Sequence, residues 1–396
     1  MWSSMQNARG RLCSIVSSAV SDLLNPPGSN APGLDVLRSL AIFFVVSGHY
    51  YGYFLESGGS ELSVGRFPLF YYAWTGVDLF FVLSGYLIGR QLWKELRDRG
   101  SIDIPRFLLR RGLRIWPFYY AFVLWTVAAN DVPVSAYAAD VVFLSNYHHH
   151  YIGGGWSLST EEQFYVFMPL LLLAGARLLP LQRAYFLPLA LFVALPLVRW
   201  VIFSAQPGEI TEELRSRLVY MPIHTHSDGL VAGVFLSWAV VMRPAAFAIK
   251  LPILKNAVLP LLLIVIGVAL RVLNNYVFAY SALALIFTGF ALFLLRDESL
   301  VTRLCRWRPF YWVSRLSYGM YLNHFPLLAW AVPVILTTLG GPSQLVFWIG
   351  YPLSLLLSMF VAALTFIAIE SPFLQLREWW LARRLRMKPA LSGAGL

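Results

Sequence analysis

Ten times along this chain the sequence turns apolar over a length on the scale of a bilayer crossing. A hydrocarbon core about 30 Å thick takes roughly 20 residues of α-helix. Inside that core every backbone N–H and C=O must find its partner within the protein, which leaves helices as the natural solution for such runs. The predicted spans are 36–55, 69–89, 115–130, 162–177, 184–204, 222–242, 256–273, 276–295, 316–337 and 345–368, the third and fourth being short for a full crossing. Composition agrees: 58% of the 396 residues are hydrophobic and only 13% are charged, against about 45–50% and 25% in soluble domains. The chain reads as an all-α polytopic membrane protein.

Lysine and arginine set its orientation. With the N-terminus inside, 26 of the 31 basic residues fall on inward segments, and the exceptions are Arg66, Arg199, Arg215, Arg217 and Arg271. Both termini are therefore expected in the cytoplasm. The net charge of +11 follows from topological signals and anchors for anionic membrane lipids, with no call for nucleic acid. Cys13 and Cys305 both fall on the cytoplasmic side, so no disulfide framework is expected. Residues 1–33 read as a cytoplasmic N-terminal segment, 34–373 as the transmembrane domain and 374–396 as a basic cytoplasmic tail. The run "RGRLCSIVSSAVSDLL" is too polar for a signal peptide and is followed by the breaker "NPPGSNAPG".

Ionisable residues inside the spans are the informative ones, because each is costly and marks function by default. The first span carries Arg38 and His49. On a helix this spacing spans about 16 Å and returns to within about 20° of the same face, so the two line one path. In the basic loop 90–114, Arg111 and Arg114 stand three apart at the start of a span, placed either to grip one anion or to anchor the helix. "GGGWSLSTEEQFYVFMP" brings Glu161 and Glu162 to the start of the fourth helix, with Ser159 as a candidate cap. One of these acids facing inward offers a carboxylate that orients a histidine and stabilises its cation. In the ninth span Ser317, Tyr321 and His324 follow i, i+4, i+7 and form a polar stripe.

Weaker features are the outer run His148, His149 and His150, which suits an acceptor entrance, and His224, His226 and Asp228 opening the sixth span. Neither run presents a good metal set. Asp78, in the second span, is expected to pair with an arginine. No Walker loop, dinucleotide fingerprint or CxxC pair occurs, so no metal or nucleotide cofactor is expected.

Taken in order, "LDVLRSLAIFFVVSGH", "GVDLFFVLSGYLI", "RRGLRIWPFYY", "WSLSTEEQFYVFMP", "DGLVAG", "LSYGMYLNHFPL" and "IESPF" resemble the acyltransferase family 3 membrane O-acyltransferases over roughly residues 35–373. These enzymes acylate cell-envelope sugars and some small molecules. The resemblance implies a multi-pass protein of a bacterial cytoplasmic membrane, with acyl-CoA, most often acetyl-CoA, as donor and a sugar or glycan as acceptor. It maps the family's arginine–histidine pair onto Arg38 and His49, its Arg-x-x-Arg motif onto Arg111 and Arg114, and its acidic motif onto Glu161, with Glu162 beside it. The ninth-span histidine is His324, and Trp156, Asp78 and Asp228 are supporting positions. Two departures stand out: His226 where the family has arginine, and Ser371 in "IESPF" where many members have "IERPF". The sequence ends soon after the last predicted span, so the hydrolase-like domain appended in some members is not expected.

On this reading Arg38, Arg111 and Arg114 hold the phosphates of the donor, and His49 is the general base on the acceptor hydroxyl. Glu161 orients a histidine, and His324 or Tyr321 donates to the carbonyl oxygen. Direct transfer and a transient acyl-histidine both remain open, as do the acceptor, the acyl group and the oligomeric state. The rival is a transporter or flippase, since ten spans with midplane polar groups suit that class as well.

Overall fold

The computed structural model of this chain describes residues 16–21, 23, 32–60, 67–206, 208, 210–244, 253–274, 276–296 and 306–386. Cys13, Cys305, Arg66, most of segment 1–33 and the end of the tail lie outside the described residues. Within them the secondary structure is helical, with no strand.

Ten helices overlap the ten predicted spans. They are α1 (Pro32–Glu56), α2 (Gly76–Arg99), α3 (Ile104–Ala129), α4 (Gly155–Leu178) and α5 (Phe186–Ser204), then α6 (Asp228–Met242), α7 (Ile253–Leu273), α8 (Ala279–Arg296), α9 (Arg308–Thr338) and α10 (Gln344–Thr365). A π-helical turn at Phe366–Glu370 carries α10 into α11 (Ser371–Arg386). Three stretches among the described residues are long and apolar enough to cross a membrane: Phe186–Ser204, Arg308–Thr338 and Gln344–Trp380. Shorter apolar helices occupy Asp228–Met242, Ala257–Leu273 and Ala279–Leu295.

Helix ends differ from expectation where polar residues extend a helix instead of interrupting it. Segment 90–114, expected as a loop, is mostly helix, because Leu, Lys, Arg and Glu are all good helix formers. α2 runs on to Arg99 and closes at Gly100, whose φ of +70° lets its N–H reach the Leu96 carbonyl. α3 starts four residues later, capped by Asp103, which accepts from Arg106 N at 3.1 Å, and a proline sits in the first turn. α4 begins at Gly155, with Gly154 at φ +73° before it. Ser159 therefore lies inside the helix, not at its cap, and its Oγ accepts from Ser145 N.

Small residues let the helices approach closely. The most extensive helix contact is α2 on α6. A Cβ at Gly85 would collide with the Leu230 carbonyl, one at Gly89 with Ser237 Oγ, and one at Gly233 with the Val82 carbonyl. These residues recur at four-residue spacing on both helices, which lines up small positions on one face and brings the two backbones into contact. The glycines of "SGYLIG" thus serve packing.

Candidate active site

Helices α1 to α4 and α9 surround one cavity, with room of about 130 Å³ for the centres of water molecules. Arg38 of α1 and Arg111 and Arg114 of α3 all line it, so the sequence's two separate arginine signals converge. Among the described residues neither Arg111 nor Arg114 forms an ion pair, and Arg38 has only a loose one at 3.7 Å to Asp35 on its own helix. Arg111 reaches Gln91 Oε1 at 3.4 Å, and its guanidinium stands 5.7 Å from the Phe107 ring and 5.8 Å from Tyr165. Among the described residues Glu161 is the one carboxylate lining the cavity, and it accepts from Tyr165 Oη at 2.7 Å. Three cations facing one carboxylate in an enclosed space repel one another and favour an incoming anion.

A second, more open cavity of about 360 Å³ shares Leu87, Arg111 and Arg114 with the first and adds Arg90, Lys94, Arg110 and Arg377. In the sequence these four look like topological anchors. Arg90 and Lys94 are four apart, a spacing that puts them on one face of α2, but their convergence with α3 and α11 is a tertiary fact.

At the other end of the arginine-lined cavity, Tyr321 Oη lies 2.5 Å from Ser157 Oγ and donates to the Gly154 carbonyl at 3.2 Å. Tyr321 and Ser317 line the cavity, whereas His324, the last member of that stripe, does not. His324 is fully buried. It meets His49 instead, Nε2 to Nδ1 at 3.2 Å. Arg38 thus opens on the cavity while His49, farther along α1, lies outside its lining.

The partners of the two rings assign their protons. His324 Nδ1 faces the Tyr321 carbonyl at 2.6 Å, and His49 Nδ1 faces the Val45 carbonyl at 2.8 Å. A carbonyl only accepts, so each Nδ1 carries the hydrogen. His324 Nε2 then holds a lone pair and shares the His49 Nδ1–H, and His49 Nε2 is left with a free lone pair. Phe325 packs against both rings, at 4.3 Å and 4.4 Å between centroids. The expected contact of Glu161 with a histidine is absent among the described residues: Tyr165 occupies the carboxylate, and His324 is the partner of His49.

The supporting residues form a second buried cluster. Asp78 pairs with His226, not with an arginine: Oδ1 lies 2.9 Å from Nε2, while His226 Nδ1 faces the Tyr220 carbonyl at 2.6 Å. Both ring nitrogens of His226 are thus engaged, one by a carboxylate and one by a backbone carbonyl. It is sandwiched by aromatic rings, with Tyr280 at 3.7 Å and Trp156 at 5.6 Å. Asp228 pairs with Arg199, which composition alone had left as an exception to the charge rule. Glu162 accepts from Trp116 Nε1 at 3.0 Å. His224 and His226, closely spaced in sequence, point to different partners, His224 Nδ1 lying 2.9 Å from Tyr147 Oη. Among the described residues no group of His, Cys, Asp and Glu is arranged to hold a metal ion.

Comparison with known proteins identifies the family. The chain belongs to the acyltransferase 3 family, whose acyltransferase domain matches residues 32–367. Among its relatives are YrhL of Bacillus subtilis, named as a proposed peptidoglycan O-acetyltransferase, and OatA of Listeria monocytogenes, named as a peptidoglycan O-acetyltransferase. YrhL is 26% identical over 371 residues, covering 86% of this chain and 54% of the relative. OatA is 24% identical over 376 residues, covering 86% of this chain and 55% of the relative. The chain thus spans about half the length of these curated relatives. No solved structure matches it.

Proposed function

We propose that this membrane acyltransferase moves an acetyl group from acetyl-CoA, taken from the cytoplasm, to a hydroxyl of an envelope glycan, forming an ester. The observation that carries the reading is the convergence of Arg38, Arg111 and Arg114 on one cavity with a single carboxylate. A phosphate-rich donor supplies the missing negative charge, and arginine binds phosphate oxygens in pairs. The basic vestibule of Arg90, Lys94, Arg110 and Arg377 widens the same entrance. The names of the relatives favour acetyl as the group and a glycan as the acceptor. In this reading the chain crosses the membrane ten times with both termini inside, and the arginines lie at the cytoplasmic end.

The acceptor hydroxyl gives its proton to His49 Nε2 while its oxygen attacks the thioester carbonyl. The C–S bond then breaks, and CoA leaves as a thiolate that takes up the proton. His324 holds His49 through the Nδ1–H and stabilises the imidazolium as it forms, a role that a carboxylate fills in other catalytic sets. A hydroxyl of the linked Tyr321–Ser157 pair, turned from the Gly154 carbonyl it bonds here, would donate to the carbonyl oxygen as charge develops. Glu161, bonded to Tyr165, offsets the positive charge of Arg111 and Arg114 instead of touching a histidine.

Free CoA thiol released from acetyl-CoA by the purified protein in nanodiscs tests this, with wild type beside His49→Ala and with or without an envelope-glycan extract. Release that needs both His49 and the extract is expected. Flux of glycan across the bilayer without thioester turnover would support the transporter reading instead.

A further inference from the structure

The loop after α3 and the segment before α6 meet in a second polar chamber of about 320 Å³, which shares no residue with the arginine-lined cavity. Tyr147, His148, His149 and His150 line one side, and Glu213 and Arg217 line the other. We infer that this chamber is the acceptor subsite and takes an uncharged saccharide ring, an inference that rests on the acetyl-transfer reading for the fate of the sugar but not for its binding.

The chemistry of the lining selects the class. Tyr147 lies beside His224 with the two rings nearly parallel, at 5.7 Å between centroids and 6° between planes, and with its Oη 2.9 Å from His224 Nδ1. It keeps 45% of its surface exposed and lines the chamber. The C–H face of a sugar packs well on the electron-rich face of such a ring. Burial raises the Tyr147 phenol above its ordinary value, so it remains a neutral hydroxyl. Imidazole nitrogens and the Tyr147 hydroxyl are hydrogen-bonding groups that complement sugar hydroxyls, which both donate and accept. Arg217, the permanent cation of the chamber, is matched by Glu213 at 3.0 Å, so the lining has no excess fixed charge to favour a phosphate or a uronate.

The chamber is also tied to the elements that surround the histidine pair. Asn146 in its wall is buried and exchanges two amide hydrogen bonds with Gln163, at 3.1 Å and 2.7 Å. Gln163 lies two residues beyond Glu161 on α4. The same loop runs on to Gly153, which packs against Phe325, and Gly154, whose carbonyl accepts from Tyr321. Phe325 in turn touches His49. A sugar seated against Tyr147 and the histidine run is therefore held by the loop that also shapes the surroundings of the His49–His324 pair.

The test uses the full chain in nanodiscs, an envelope-glycan extract split into uncharged and acidic fractions, and diethyl pyrocarbonate, which labels accessible imidazoles. Mass spectrometry reads the label on His148, His149 and His150. The uncharged fraction is expected to protect these histidines in the wild type and in Tyr147→Phe, which keeps the ring face, but not in Tyr147→Ala. The half-saturating concentration of that fraction for acetyl transfer is expected to rise about tenfold in Tyr147→Ala, the equivalent of about 1.4 kcal/mol, with that for acetyl-CoA unchanged. Transfer to the uncharged fraction without protection of the histidines overturns the subsite. Protection by the acidic fraction alone overturns the assigned class. Protection without transfer keeps the subsite and overturns the acetyl-transfer reading, and the absence of both overturns the two together.

Discussion

Two sets of arginine sit inside this bundle, and their surroundings are opposite. Arg199 is fully buried, and all five of its donors are used. It bonds the Val277 and Thr225 carbonyls at 2.6 Å each, the two Asp228 oxygens at 2.8 and 3.0 Å, and Ser281 Oγ at 2.7 Å. Arg38, Arg111 and Arg114 instead point into a shared cavity with one carboxylate among its lining residues, and that carboxylate is bonded to a tyrosine. A buried charge with every donor matched ties helices together, here α5, α6 and α8. A cluster of like charges only partly matched is unfavourable by itself, and it makes physical sense as the seat of a ligand that completes it.

The comparison can be broken from either side. Asp228→Asn strips the full charge from the partner of Arg199 and leaves a buried cation short of its anion. A loss of about 3–5 kcal/mol of stability is expected, read as a large fall in thermal stability and in folded yield. Arg114→Gln, in contrast, relieves repulsion and should leave the melting temperature unchanged or slightly higher. Its cost appears in the half-saturating acetyl-CoA concentration, which should rise on the order of 10–100-fold, the worth of one charge-assisted contact. If Arg114→Gln melted like Asp228→Asn, the two sets would not differ in kind. A smaller effect sharpens the same contrast at Asp78. His226→Leu removes its hydrogen-bond partner and should cost about 1–3 kcal/mol, whereas His226→Gln keeps a hydrogen-bond donor there and should retain most of the wild-type stability, as thermal unfolding of the two variants side by side would reveal.

Much of this was legible in the sequence, and the rest was hidden for identifiable reasons. The apolar runs marked the ten helices because period and length act locally. Helix ends shifted at Gly100, Asp103 and Gly154, where single capping residues decide and composition does not. Arg38, Arg111 and Arg114 were legible as candidates, and the cavity joins them. His49 and His324 were likewise visible one at a time, but their 3.2 Å contact joins residues 275 apart in the chain. No helical period carries that information. The Glu161 expectation misled because adjacency to a motif does not say which neighbour a carboxylate meets, and Tyr165, one turn on, reaches it first. The role of Arg199 was invisible for a similar reason: its partners come from two distant segments, 225–228 and 277–281.

The central claim is that the arginine cavity binds the donor while the histidine pair carries the chemistry. Acetyl-CoA binding to His49→Ala and to Arg111→Gln/Arg114→Gln, measured by titration calorimetry in nanodiscs, tests it most directly. The account predicts that His49→Ala binds the donor with wild-type affinity yet transfers about 10²–10⁴ times more slowly, and that the double arginine variant binds at least about tenfold more weakly. Wild-type donor binding by the arginine variant, with binding lost in His49→Ala, would contradict it.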